Sequence, residues 1–136
     1  MGTRSSYLIT EKFGKKVRKV ANVYFQYDGY PSGHPKDLCE WLKDSQVVDG
    51  YSEVSNNIFN GVGCFAAQFV AKFKTGTGNV YLESLDNYGK CGEDYLYEIN
   101  FIEYNLIEIV VRNYKKIELF RGTPEEYLVW FGFNDN

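Results

Sequence analysis

Between residues 62 and 73 the apolar side chains Val62, Phe65, Ala66, Phe69, Val70 and Phe73 recur at i, i+3, i+4, i+7, i+8 and i+11. That is a sustained 3.6-residue period, and it predicts a helix over 61–74 that is largely buried. A stripe carrying three phenylalanines needs another layer to cover it. Lys72 and Lys74 complement the dipole at its C-terminal end, and Gly76 can stop it.

The covering layer is legible as strands. Residues 5–12 and 17–27 are β-rich. Val17, Lys19, Ala21, Val23, Phe25 and Tyr27 alternate with Arg18, Val20, Asn22, Tyr24 and Gln26. Gly14 between the two runs predicts a hairpin. A meander follows later: strands over 95–102, 106–113 and 116–121, with turns over 103–105 and at 114–115. A short strand over 79–84 lies between Gly-rich loops, and residues 46–60 read as a polar loop. A helix over 35–44 presents Leu38, Trp41 and Leu42 on one side. Thr123, Pro124 and Glu126 form a capping box that opens a last helix over 124–131. The fold class expected is α+β in one domain over 1–136. Its antiparallel sheet combines an N-terminal hairpin with a C-terminal meander. Two central helices pack on one face, and a short helix ends the chain.

Charge narrows the partners. Fifteen Lys and Arg against 18 Asp and Glu give a net charge of −3, which argues against general nucleic-acid binding. The dense basic run Lys15-Lys16-Val17-Arg18-Lys19 suits a solvated hairpin edge. Three scattered cysteines, Cys39, Cys64 and Cys91, suit free thiols in a reducing compartment. No apolar run approaches the roughly 20 residues of a membrane span. No signal-peptide apolar region opens the chain, although Gly2 and Ser6 match a myristoylation pattern. The expectation is a cytoplasmic protein without membrane association, cofactor or metal. One histidine excludes multi-His zinc sites, and Cys91 with Glu93 and Asp94 makes a poor ligand set.

Several blocks resemble a family of small, uncharacterised phage and viral proteins. They are Gly2-Thr3-Arg4-Ser5; Gln26 through His34 (QYDGYPSGH); Asn60 through Gln68 (NGVGCFAAQ); Cys91 through Tyr95 (CGEDY); and Gly122 through Glu126 (GTPEE). They span nearly the whole chain in order. The resemblance implies a viral setting, hence host-cell cytoplasm, and no particular chemistry. One departure is Pro35, where the family has a glycine after Ser-Gly-His; it stiffens the loop and removes a backbone donor.

The candidate site is the loop from Tyr27 to His34. Two Gly and two Pro within residues 29–35 fix it tightly. Tyr27 and Tyr30 offer flat faces for a base or ribose. Asp28 can accept a hydrogen bond, and Ser32 and His34 can donate. A purely structural turn explains the same residues, with Asp28 capping and His34 satisfying a carbonyl. Arg4 can clamp a phosphate or carboxylate, or form a salt bridge to Asp28 or Glu93. Gly61 and Gly63 permit close approach by a phosphate or by a packed sheet, without a Walker motif. Gln68 is either a pocket hydrogen-bonder or a partner to a buried carbonyl. The expected partner is a small nucleotide-like ligand. A viral binding protein that sequesters a nucleotide-derived immune signal heads the readings. Alternatives are a hydrolase degrading that nucleotide with His34 as acid or base, and a protein–protein inhibitor or assembly subunit. A homo-oligomer suits all three.

Overall fold

The computed structural model describes residues 2–50, 52–103 and 106–134. Strands β1 (Ser5–Phe13) and β2 (Lys16–Phe25) form the expected hairpin, and helix α1 (His34–Lys43) follows. Two short strands, β3 (Gln46–Val48) and β4 (Ile58–Asn60), precede helix α2 (Gly61–Phe73). Then come β5 (Val80–Glu83), a single 3-10 turn at Leu85–Asn87, β6 (Tyr95–Ile102), β7 (Leu106–Asn113), β8 (Glu118–Gly122) and helix α3 (Pro124–Asn134). Among the described residues the fold is α+β, with a six-stranded sheet ordered β5-β2-β1-β6-β7-β8.

The sheet is mostly antiparallel, but its centre is not. β1 and β6 run parallel, with Tyr7 opposite Tyr97 and Ile9 opposite Ile99. Sequence periodicity finds strands without their partners, so only the hairpin and meander could be anticipated. The long connection between β1 and β6 has room for the crossover that a parallel pair requires.

One sheet face carries Tyr7, Ile9, Val23, Phe25, Tyr97, Ile99, Phe101, Ile107, Ile109 and Val111, all buried. Helix α2 lays Phe65 against Phe101 at 5.0 Å and Phe69 against Tyr7 at 5.3 Å. Helix α1 adds Leu38, Cys39 and Leu42, and α3 adds Tyr127. The third helix therefore joins the same layer as the two central ones.

The opposite face is covered partly by polar pairing. Thr10 Oγ1 donates to Asn100 Oδ1 at 2.6 Å, and Asn100 donates onward to Glu98 and Glu108. Arg112 pairs with Glu98, and Arg121 bridges Glu108 and Glu118. These contacts satisfy the buried Thr10 and Asn100, which would otherwise be costly.

Helix α3 runs on to Asn134 rather than 131, and three other departures from expectation have local reasons. Residues 46–60 hold β3 and β4, which pair in parallel with Gln46 opposite Ile58. Three-residue strands are too short to show a period. Phe59 is nonetheless fully buried, at 5.0 Å from Phe65. β2 ends at Phe25 because Gln26 bonds across to Asn79 through backbone and side chain. β8 begins at Glu118 because Lys116 takes φ +66 and donates to the Asn113 carbonyl. Of the turn expected over 103–105, Tyr104 and Asn105 lie outside the described residues. The capping box is present: Glu126 N donates to Thr123 Oγ1 at 3.1 Å, and Thr123 N to Glu126 Oε1 at 2.8 Å.

Phe69 sits where α2 meets β1 and β2, at 5.9 Å from Phe25 as well. Phe69→Ala should cost about 3–5 kcal/mol in urea unfolding, the range for a buried phenylalanine left as a cavity. Val54→Ala, on a fully exposed side chain, should move stability by less than about 0.5 kcal/mol.

Candidate functional site

The loop between β2 and α1 is held both from within and by the segment before β1. Its Gly29 N donates to Thr3 O at 3.0 Å, and His34 N to Asp28 O at 2.9 Å. Two buried tyrosines reach it from distant elements. Tyr97 of β6 donates to Gly29 O at 2.7 Å, and Tyr127 of α3 donates to Pro31 O at 2.6 Å. Two glycines are there because nothing larger fits. A Cβ on Gly29 would lie 2.4 Å from Ser5 Oγ, and one on Gly33 would lie 2.2 Å from Asp28 O. Asp28 itself takes φ +61, a conformation that short polar residues tolerate. Much of the loop backbone is thus spent on structure. Tyr27 and Tyr30 stay outside it, 48% and 40% exposed.

His34 belongs to the packing. Its ring lies 4.6 Å from Phe25 and 5.7 Å from Phe73, measured between centroids. Burial lowers its pKa, against the pull of Asp28, Asp37 and a hydrogen bond with the Tyr27 backbone. The imidazole is therefore neutral at pH 7. Cys39, the nearest thiol to His34 in sequence, is fully buried, and burial pushes its thiol well above the usual value. A thiol so protonated is a poor nucleophile.

Arg4 has different surroundings. Its backbone is clamped to the start of β6: Arg4 N donates to Asp94 Oδ2 at 2.9 Å, and Arg4 O accepts from Asp94 N and Tyr95 N. Its guanidinium lies over Gly92, where an added Cβ would come within 3.0 Å of a terminal nitrogen. The described residues offer that guanidinium no ion-pair or hydrogen-bond partner. Arg4 instead borders a cavity of about 740 Å³ whose other walls include Asp94, Tyr95, Asn113, Tyr114 and Leu119. Tyr114 is 66% exposed. The loop meets this cavity through the segment before β1, since Gly2 packs against Tyr27. Tyr27, Asp28, Tyr30, Ser32 and His34 are not among the residues that line it.

Glu93 is the buried carboxylate of this end. It accepts from Ser6 Oγ at 2.7 Å, Gly89 N at 3.0 Å and Cys91 N at 2.8 Å. Glu93 and Asp94 thus bond to different groups rather than converging on a cation. No group of three or more metal-ligating side chains occurs among the described residues. Nor is any helix of theirs long and apolar enough to cross a membrane.

The remaining candidates lie elsewhere. Gly61 takes φ +82 at the start of α2, and an added Cβ on Gly61 or Gly63 would meet nothing within 4 Å. Neither glycine is required by close packing. Gly61 borders another cavity, of about 640 Å³, whose walls include Glu11, Asp49 and Glu103. Those carboxylates oppose a phosphate there. Gln68 Nε2 donates to the carbonyls of Ser55 and Asn56, and Cys64 Sγ donates to its Oε1. Gln68 staples the 52–57 loop to α2.

Thr3, Tyr95, Asn113, Tyr114 and Leu119 are among the cavity residues that sequence reasoning missed. Tyr95 alternates like any strand residue and Tyr114 marks a turn, so neither stands out until β6, β7 and β8 are adjacent. Comparison of the chain with protein families, with curated proteins and with solved structures finds no match.

The chain's one histidine makes a clean pH prediction. Because the folded pKa is lowered, the unfolded chain binds the proton more readily. The stability His34 supports is present above its unfolded pKa of about 6.5 and is lost as pH falls toward the lower folded value. Thermal melts should show Tm dropping between about pH 7 and pH 5, and His34→Gln should flatten that slope.

Proposed function

We propose that this protein binds a small anionic molecule bearing a flat ring, without turning it over. The observation that carries the reading is the Arg4 guanidinium, unpaired among the described residues, at the rim of a 740 Å³ cavity with Tyr95 and Tyr114 in its walls. A guanidinium fits phosphate or carboxylate in bidentate fashion, and tyrosine faces stack on a base. The volume falls within the range of small-molecule sites.

The resemblance to small phage and viral proteins gives this chemistry a setting. A nucleotide-like ligand captured in host cytoplasm is a nucleotide-derived immune signal of the cyclic nucleotide or cyclic ADP-ribose type. Sequestering it would blunt host defence. Within this reading the site is centred on Arg4, with Tyr27 packed behind Gly2 rather than in the cavity wall, and not on the loop as a whole. A hydrolytic reading through His34 has less support, because that imidazole is wedged between Phe25 and Phe73.

Thermal shift against cyclic mononucleotides, cyclic dinucleotides and cyclic ADP-ribose tests the reading. One ligand should raise Tm by several degrees, since ligand at 100 times Kd adds about 2.7 kcal/mol. Arg4→Ala should lose that shift while its own melting point stays close to wild type, because the clamp uses backbone atoms. Ligand recovered after heat denaturation should be intact. A panel without any shift overturns the proposal, and consumed ligand replaces binding with catalysis.

A further inference from the structure

The basic hairpin run has an open side. β2 is ten residues long, and β1 pairs along its inner edge. On the outer edge β5 pairs only with Asn22 through Phe25. Lys16, Val17, Arg18 and Lys19 are exposed and have no strand beside them there. Phe13 and Lys16 flank a two-residue turn, so they are the pair that closes the hairpin. The antiparallel alternation then turns the N–H and C=O groups of Val17 and Lys19 outward.

We propose that this edge docks an acidic, extended polypeptide segment of a partner by strand addition. The added strand would lie beside Lys16 to Lys19, beyond the 3-10 turn Leu85–Asn87 that follows β5 and contacts β2, along about four residues or roughly 13 Å of edge. Charge selects the occupant. Lys15, Lys16, Arg18 and Lys19 crowd the edge of a chain whose net charge is −3. Among the described residues only Arg18 of these four has an ion-pair partner, Glu11 at 3.0 Å. Along the strand Lys16 and Arg18 fall on one sheet face and Lys19 on the other. Carboxylates on either face of an incoming strand would therefore meet a cation.

The same charges exclude other occupants. A second copy presenting this edge would oppose lysine with lysine, which is repulsive across a ladder. A nucleic acid would neutralise the lysines, but phosphate oxygens only accept. The edge offers donors and acceptors in alternation, and a peptide backbone matches both.

Fluorescence anisotropy with two labelled eight-residue peptides tests the proposal, one alternating Glu with Val and one alternating Lys with Val. At low salt the Glu peptide should bind saturably and the Lys peptide should not. Lys16→Glu with Lys19→Glu should weaken binding at least tenfold. Val17→Pro, which deletes an outward N–H and leaves the β1 ladder intact, should weaken it at least tenfold as well. Amide hydrogen exchange on the wild-type protein should show Val17 and Lys19 slowed by the Glu peptide. That measurement decides the matter if the proline variant fails to fold. Absence of Glu-peptide binding overturns the proposal. So does equal affinity for Val17→Pro, which would reduce the effect to charge attraction, and so does tighter binding of a thymidine oligonucleotide.

Discussion

The rest of the molecule depends on burying the parallel β1–β6 pair from both sides. These strands sit at the middle of the sheet, and neither face of the pair is open to water along most of its length. The Tyr7 and Tyr97 rings stack at 5.0 Å and 16° where the two strands run abreast. Covering their helix-side face takes the phenylalanine stripe of α2 together with α1 and α3. Covering the other takes the polar chain from Thr10 through Asn100 to the arginines of β7 and β8, and the segment around Tyr88 and Glu93. Tyr88 donates its hydroxyl to Tyr97 O, so even the cover is bonded to the central strand.

That arrangement also explains why the Arg4 guanidinium has no ion-pair partner among the described residues. Two carboxylates lie close to it in sequence-distant positions, and both are already occupied. Glu93 is spent on Ser6 and on two backbone amides of its own loop. Asp94 is spent on the backbone N–H of Arg4. Closing the sheet therefore consumes the local negative charge and leaves the guanidinium over Gly92, at a cavity that Tyr95 and Tyr114 also line. A salt bridge to Glu93 was one expectation for Arg4, and the hydrogen bonds of Glu93 account for its absence.

The sequence announces what depends on local order. The α2 stripe and the Thr123–Glu126 box each carry their own period or motif and stand where expected, whereas the β1–β2 alternation is broken by a register shift between Ile9 and Thr10, which puts Val17 and Lys19 on the face opposite Ala21, Val23 and Phe25. Parallel pairing of β1 with β6 leaves no local trace, because Tyr7 and Tyr97 meet only once the chain has crossed over. β3 and β4 are too short to show a period. The Tyr27–His34 loop was legible as a tight turn. Its anchoring by Tyr97 and Tyr127 was not, since each hydroxyl arrives from a remote element. Arg4 was legible as a cation, whereas the walls around it belong to three strands that a linear reading keeps apart.

The parallel pair also sets a timetable. The β1–β2 and β6–β7 hairpins join neighbours and can close early. The β1–β6 ladder joins residues about ninety positions apart, and such non-local pairing slows folding. During synthesis the N-terminal hairpin and α2 emerge well before β6 does. Until then Tyr7, Ile9 and the α2 phenylalanines lack half of their core. Between the synthesis of β1 and that of β6, a nascent chain of this protein carries an unfinished sheet edge at β1, the strand that ends up most enclosed.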